Sequence, residues 1–193
     1  MTRTGPASAL RMVVTLASAG LLSGSALASV YMATAPRIAR HHQAALAKAV
    51  LKVVPGAARF EAIPGESNMY ATFTADGQAA GLAIQAEGPG FMDTIRLLYG
   101  FSPNARTITG LAILDSRETP GLGDKIMTDP GFVHSFDALQ VDPEIVPATT
   151  GPRAADNEVD CISGATISSK AVVNILQRSL AELPLAKPPK VPR

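Results

Sequence analysis

TIRLLYGFSPNARTITGLAIL, residues 94–114, decides the fold. Thr94 to Phe101 is dense in apolar and aromatic residues, Ser102-Pro103-Asn104 is a turn, and Thr107 to Leu114 carries Ile108, Leu111 and Ile113. Such a pattern predicts two strands joined by a tight connection. The same grammar extends upstream. Met69 to Thr74 alternates aromatics with threonine, Asp76-Gly77 is a hairpin signal, and Ala79 to Ala86 places Leu82 and Ile84 on one face. Gly88-Pro89-Gly90 reads as a chain break. Four closely spaced strands with tight turns predict an antiparallel meander.

Helical periodicity flanks the strands. Residues 38–54 put Leu46, Val50 and Val53 on one face, and Pro55-Gly56 stops them. A short helix is expected through Phe132 to Leu139, after Asp129-Pro130. A final helix from Ser169 to Leu183 carries Val172, Ile175, Leu176, Leu180 and Leu183 as an apolar stripe, which is read as core packing. Residues 141–158 hold three prolines and many polar groups and are expected as a surface loop. From Pro184 the chain reads as an extended tail. The expected class is α+β: a twisted, mostly antiparallel sheet packed by helices.

Residues 12–35 contain no charged side chain. A helix of ~20 apolar residues spans a bilayer core, so this run is long enough for a transmembrane anchor. The rival is a cleaved signal peptide, with a basic start at Arg3 and Arg11 and a small-x-small site at Ala26-Leu27-Ala28. Both readings export residues 36–193. Arg37, Arg40, Lys48 and Lys52 argue the other way under the positive-inside rule, which is weaker for long translocated domains. A break at Pro36 is expected between anchor and amphipathic helix. The organisation is therefore a cytoplasmic N-terminus (1–11), an anchor (12–35), an amphipathic helix and connector (36–66), a folded domain (67–183) and a Pro-rich tail (184–193).

Composition closes several function classes. A net charge of +1 over 193 residues gives no electrostatic case for nucleic acid, and with 5% aromatics and no Trp there is little for bases to stack on. Cys161 is the sole cysteine, which rules out an internal disulfide or a cysteine-built cluster. His41, His42 and His134 are dispersed, and no carboxylate stands at ligand spacing from the His41-His42 pair, so no metal site is expected. No Walker loop, catalytic triad or dinucleotide fingerprint appears; Gly121-Leu122-Gly123 lacks the third glycine and the βαβ setting. There are no internal repeats.

The chemistry-bearing stretch is Asp160-Cys161-Ile162-Ser163-Gly164-Ala165-Thr166-Ile167-Ser168-Ser169. Gly164 permits a tight turn, Ala165 leaves room beside it, Ser168 or Ser169 can cap the following helix, and Thr166 offers a hydroxyl just before it. Backbone N–H groups at such a helix start favour an anion. From the residues alone, a capped helix entry and an anion site both remain open. Glu118-Thr119-Pro120-Gly121-Leu122-Gly123-Asp124-Lys125 is a Pro- and Gly-rich loop. It reads as an ordinary turn, with Glu118 and Asp124 as solvated charge that Lys125 can partner, or as a place where backbone approaches a ligand closely. Tyr99 and Phe91 are core or ligand-facing residues, with core the favoured reading, and Cys161 is read as a small buried hydrophobe.

The 160–169 stretch resembles the flavinylation motif of FMN-binding domains, found in the G subunit of the Rnf electron transport complex and in the C subunit of the sodium-pumping NADH:quinone reductase. The 118–125 loop resembles the family's second signature. Gly88 to Phe91 with the following strand resembles a third, and Ala171-Val172-Val173 is also similar to the Rnf protein. Cys161 and Phe91 depart from the residues frequent in the family. The resemblance implies FMN joined through its phosphate to Thr166, with Asp160 read by a flavin transferase. It also implies a cofactor site drawn from Ser163, Gly164, Ala165, Ser168, Glu118, Thr119, Gly121, Leu122 and Gly123. It implies no independent substrate chemistry. The implied protein is an electron-transfer component, anchored in the cytoplasmic membrane with its FMN domain outside. Its partners are the other subunits of a complex coupling ferredoxin/NAD electron transfer to ion translocation. The alternatives are an exported flavoprotein serving another oxidoreductase and a cofactor-free assembly module.

Overall fold

A computed structural model describes residues 6–148 and 153–183. The expected 184–193 tail, the residues before Pro6 and part of the 141–158 loop lie outside the described residues. The chain divides into two units, Met1–Ala44 and Ala45–Arg193.

Helix α1 (Pro6–Val53) supplies the first unit and ends in the second. From Leu10 it is long and apolar enough to cross a membrane, with Leu16, Leu21, Leu22 and Leu27 exposed. The expected break at Pro36 is absent, because the helix runs through it. A proline costs one i→i−4 bond, which neighbouring hydroxyls offset in membrane-type helices.

The second unit is built on a six-stranded antiparallel meander in sequence order. Its strands are β1 (Arg59–Ala62), β2 (Met69–Phe73), β3 (Ala79–Pro89), β4 (Thr94–Ser102), β5 (Thr107–Asp115) and β6 (Leu139–Gln140). The four expected strands are present, and Gly77 turns the β2–β3 hairpin at a φ of 80°. Two edge strands were not expected. β1 is four residues long and mostly exposed, and β6 has two residues, so neither carries a readable alternation. Gly88-Pro89-Gly90 does not break the chain as expected. β3 continues through Pro89, which pairs with Thr94, and the turn falls at Gly90–Asp93 with Gly90 N donating to the Asp93 carbonyl at 2.8 Å. Proline is tolerated there because it stands at a strand end.

After β5 come α2 (Lys125–Thr128) and α3 (Pro130–His134), with Asp129 capping α3 through Phe132 N at 2.8 Å. The expected helix from Phe132 to Leu139 is shorter, since Ala138 adopts a φ of 58° and Leu139 pairs with Ile108 in the sheet. The expected 141–158 loop contains β7 (Val146–Ala148), which pairs in parallel with β8 (Glu158–Asp160). Helix α4 (Thr166–Glu182) closes the domain. It starts three residues earlier than the sequence suggests and stops at Leu183, which is extended before Pro184.

Both faces of the sheet are covered. Leu82, Ile84, Leu97, Tyr99 and Phe101 join Val172, Val173, Ile175 and Leu176 of α4 in one core. Ala83 and Leu98 face the other way, onto Val50, Val53 and Val54 at the end of α1. Tyr99 is wholly buried, as expected of a core residue. Its hydroxyl meets Ser179 Oγ at 2.8 Å, and burial pushes the phenol up to about 12.

The α1 end lies close on the β4–β5 pair because Gly100 and Gly110 stand opposite each other. A Cβ at Gly110 would come within 3.1 Å of the Val53 carbonyl oxygen, and one at Gly100 would collide with it. That carbonyl, left over at the helix end, accepts Thr109 Oγ1–H at 2.7 Å. Gly100→Ala is therefore expected to cost about 1–3 kcal/mol through overpacking. The measurement is the thermal midpoint of the detergent-solubilised full chain by circular dichroism, and an unchanged midpoint would contradict the close approach.

Candidate functional site

Three chain segments far apart in sequence meet at one place. The first is the tip of the β3–β4 hairpin, where Phe91 is 58% and Met92 64% exposed. Phe91 is thus not the core residue the sequence suggested. It sits at a turn of a few residues, with no neighbouring element to cover it.

The second segment is the 118–125 loop. Thr119, half-buried, turns it, its carbonyl accepting from Leu122 N at 3.1 Å and Asp124 N at 3.3 Å. Gly121 takes a φ of 77°, a conformation that favours glycine. Leu122 is 50% exposed, while Gly123 is buried. Glu118 is only 4% exposed, so it is not the solvated loop charge considered from sequence. Its Oε1 accepts from Phe91 N at 2.9 Å and Met92 N at 3.0 Å, and its Oε2 accepts from Ser168 Oγ at 2.5 Å. Three donors satisfy a charge whose isolated burial would be costly. Lys125 pairs with neither Glu118 nor Asp124 among the ion pairs of the described residues. Asp124 keeps a buried Oδ1 without a partner.

The third segment joins β8 to α4. Ala165 N donates to the Ile162 carbonyl at 2.9 Å, and Gly164 turns the chain at a φ of 82°. Thr166 is the first helical residue rather than one preceding the helix, with Ala165 at the cap position. No side chain caps the helix, contrary to the expectation for Ser168 or Ser169. The Ser168 hydroxyl is committed to Glu118. Ser169 Oγ accepts from Ile162 N at 3.2 Å and donates to the Ala165 carbonyl at 3.0 Å, bracing the turn instead. Ser163 and Gly164 are exposed and Ala165 is buried. Thr166 is half-buried, and its hydroxyl makes one long contact of 3.5 Å to the Ile162 carbonyl.

The first backbone N–H groups of α4 belong to Thr166, Ile167 and Ser168. None has a backbone acceptor among the described residues, whereas Ser169 N donates to Ala165 at 2.9 Å. No acidic residue occupies this first turn. The second and third segments touch where Leu122 Cδ2 would lie 3.8 Å from a Cβ at Gly164. Ile167, next to Thr166, is 60% exposed. Phe91, Met92, Leu122 and Ile167 are thus exposed apolar side chains on the three segments that meet here. Met92 and Ile167 were missed from sequence; an apolar pair right after Gly88-Pro89-Gly90 was the available signal for Met92.

Asp160 closes β8, half-buried, with Oδ1 out of solvent and unpartnered. Cys161 is half-buried, and burial pushes its thiol above the ordinary range, with the Lys170 charge opposing. No cluster of metal-ligating side chains occurs among the described residues.

A weakly held hydroxyl, free helix amides and exposed apolar side chains suit a ligand with a phosphate and a flat apolar ring system. A family model described as the FMN-binding domain matches residues 90–181, a span that holds all three converging segments. The fold and the match define an FMN-binding domain. The chain is 31% identical to the G subunit of the ion-translocating oxidoreductase complex of Methanosarcina acetivorans, covering 88% of this chain and 92% of that protein. The G subunit of the Na(+)-translocating ferredoxin:NAD(+) oxidoreductase complex of Acetobacterium woodii is 29% identical, covering 67% and 69%. The crystal structure of Shewanella oneidensis NqrC shares the fold, with a TM-score of 0.51 and 21% identity over 63% of this chain and 64% of that one. The chain belongs to the family of G subunits of ion-translocating oxidoreductase complexes, the Rnf family.

The thiolate is the reactive form of cysteine. In a Thr166→Ala variant, Cys161 is expected to alkylate with iodoacetamide more slowly than free cysteine at pH 8, its rate rising towards higher pH. A rate equal to that of free cysteine would contradict the upward shift.

Proposed function

We propose that Thr166 Oγ1 holds FMN through a phosphodiester and that the chain carries electrons within an Rnf-type complex. The observation that carries this reading is the half-buried Thr166, its hydroxyl weakly held at a helix start where three amides lack a backbone acceptor among the described residues and the first turn holds no acidic residue. A phosphodiester retains one negative charge, which a helix N-terminus stabilises by about 0.3–1 kcal/mol. The exposed Phe91, Met92, Leu122 and Ile167 give a flat aromatic ring a surface it can cover. Ser163, Gly164 and Ala165 leave space beside the linkage, and the turn at Thr119, Gly121, Leu122 and Gly123 brings backbone close.

When bound, FMN supplies one- and two-electron redox chemistry. The chain's own residues hold and orient it and limit water on the covered ring face. A covalent tether keeps the cofactor where free FMN would be dilute, which suits a domain outside the cytoplasm. Asp160, with its unpartnered buried oxygen at the head of the motif, is the residue a flavin transferase would read. The partners are the remaining subunits of a membrane complex that passes electrons between ferredoxin and NAD and moves ions. The name of the Acetobacterium relative supports that pairing. In this reading the FMN domain lies on the extracytoplasmic side, tethered by the apolar part of α1.

Protein co-expressed with a flavin transferase is expected to fluoresce as a flavin in a denaturing gel and to gain the mass of FMN less water. Thr166→Ala is expected to lose both signals completely. A Thr166→Ala protein that keeps covalent flavin overturns the assignment. Protease added to spheroplasts is expected to digest the domain without lysis; digestion only after lysis overturns the topology.

A further inference from the structure

The Glu118 carboxylate lies between two of the converging segments without facing outward. Both of its oxygens are occupied by protein donors: Phe91 N and Met92 N on Oε1, Ser168 Oγ on Oε2. It is 4% exposed. The backbone is moulded around it. A Cβ at Gly123 would come within 2.8 Å of Glu118 Oε2 and 2.8 Å of Ser168 Oγ, and a Cβ at Gly90 would collide with Glu118 Oε1. No basic side chain pairs with it among the described residues. It is held by hydrogen bonds alone, and these are directional.

Phe91 and Met92 project from a hairpin tip that is otherwise held by an exposed Arg117–Asp93 ion pair at 3.8 Å and by Thr94 N donating to Asp93 Oδ1 at 2.7 Å. The tip's own tight bond is Gly90 N to the Asp93 carbonyl. The two amides that Glu118 grips belong to the very residues whose side chains are exposed. Ser168, gripped on the other side, is two residues beyond Thr166 in the same helical turn. One carboxylate therefore links the apolar tip to the helical turn that carries Thr166.

We propose that Glu118 is a positioning residue that clamps the Phe91–Met92 tip to the first turn of α4, so that these side chains cover one face of a flavin tethered at Thr166. This rests on the reading of Thr166 as the attachment site. Glu118 touches neither the cofactor nor a reacting atom; it acts through the tip it holds. Its removal loosens the tip and exposes the ring, which a residue that only stabilised the fold would not do.

The test uses the detergent-solubilised full chain carrying covalent FMN, with iodide quenching of flavin fluorescence as the readout of ring exposure. Glu118→Ala is expected to keep the FMN adduct by mass and to shift the quenching constant towards that of free FMN. Glu118→Gln is expected to restore the wild-type constant, since its carbonyl accepts from Phe91 N and Met92 N and its amide donates to Ser168 Oγ. Phe91→Ala is expected to raise quenching in the wild-type background and to add nothing in Glu118→Ala, the non-additivity of groups acting as one unit. Ser168→Ala, which removes a single donor, is expected to give a smaller rise, and it decides the matter if Glu118→Ala does not fold. Wild-type quenching in Glu118→Ala, additive effects of Phe91→Ala, or an unchanged constant in Ser168→Ala overturns the clamp while leaving Thr166 as the attachment site. A wild-type protein without the adduct, seen by mass before any quenching, overturns both.

Discussion

The domain depends on a strand buried from both sides. Leu97, Leu98 and Tyr99 are consecutive in β4 and all wholly inaccessible. Successive side chains on a strand point to opposite faces, so this is possible only if each face has a cover. Helix α4 covers one face and the end of α1 the other. The two covers differ in kind. Against α4 the sheet presents large side chains, among them Ile84, Tyr99 and Phe101. Against α1 it presents Ala83, Leu98 and the Gly100–Gly110 pair, and the helix end comes so near that Thr109 bonds its last free carbonyl. One helix is held by interdigitation, the other by backbone proximity.

The site follows from where that sandwich ends. α4 must begin at the rim of the sheet to lie across it, and its first turn therefore emerges beside the β3–β4 hairpin tip and the loop leaving β5. Helix starts and hairpin tips carry unpaired amides. Here the two sets are served differently: the Glu118 carboxylate takes the amides of Phe91 and Met92, while those of Thr166, Ile167 and Ser168 have no backbone acceptor among the described residues. A buried carboxyl group and a helix start with free amides thus share one corner of the fold. They avoid competition because Glu118 reaches α4 through the Ser168 hydroxyl and not through its backbone.

Much of this was legible in the chain. The β2–β5 meander was readable because each strand is long enough to show its pattern and each turn holds Gly, Pro, Asp or Asn. β1 and β6 were not, since two to four residues show no period and pair only because a neighbour offers an edge. The start of α4 was misplaced for a related reason: with Ser168 and Ser169 in the run, the natural inference is a cap, yet both hydroxyls serve tertiary contacts. Pro36 was read by its local cost, which a long helix absorbs. For Glu118 the sequence leaves open whether the carboxylate is solvated or part of a site, and for Phe91 it favours core over a ligand-facing position; the structure buries the first and exposes the second, because burial is set by what folds over a residue and not by its type.

By itself, the sequence determined the apolar N-terminal helix, the antiparallel sheet, the closing amphipathic helix and the Ser163–Thr166 turn, all properties of contiguous residues whose periodicity and backbone preferences act locally. The tertiary structure alone decided that residues 90–92, 118–125 and 160–169 form one site and that Glu118 turns inward to join them. Those contacts span 26 to 50 positions of chain, a separation over which neither period nor propensity carries information, and only the packing of both sheet faces brings them together.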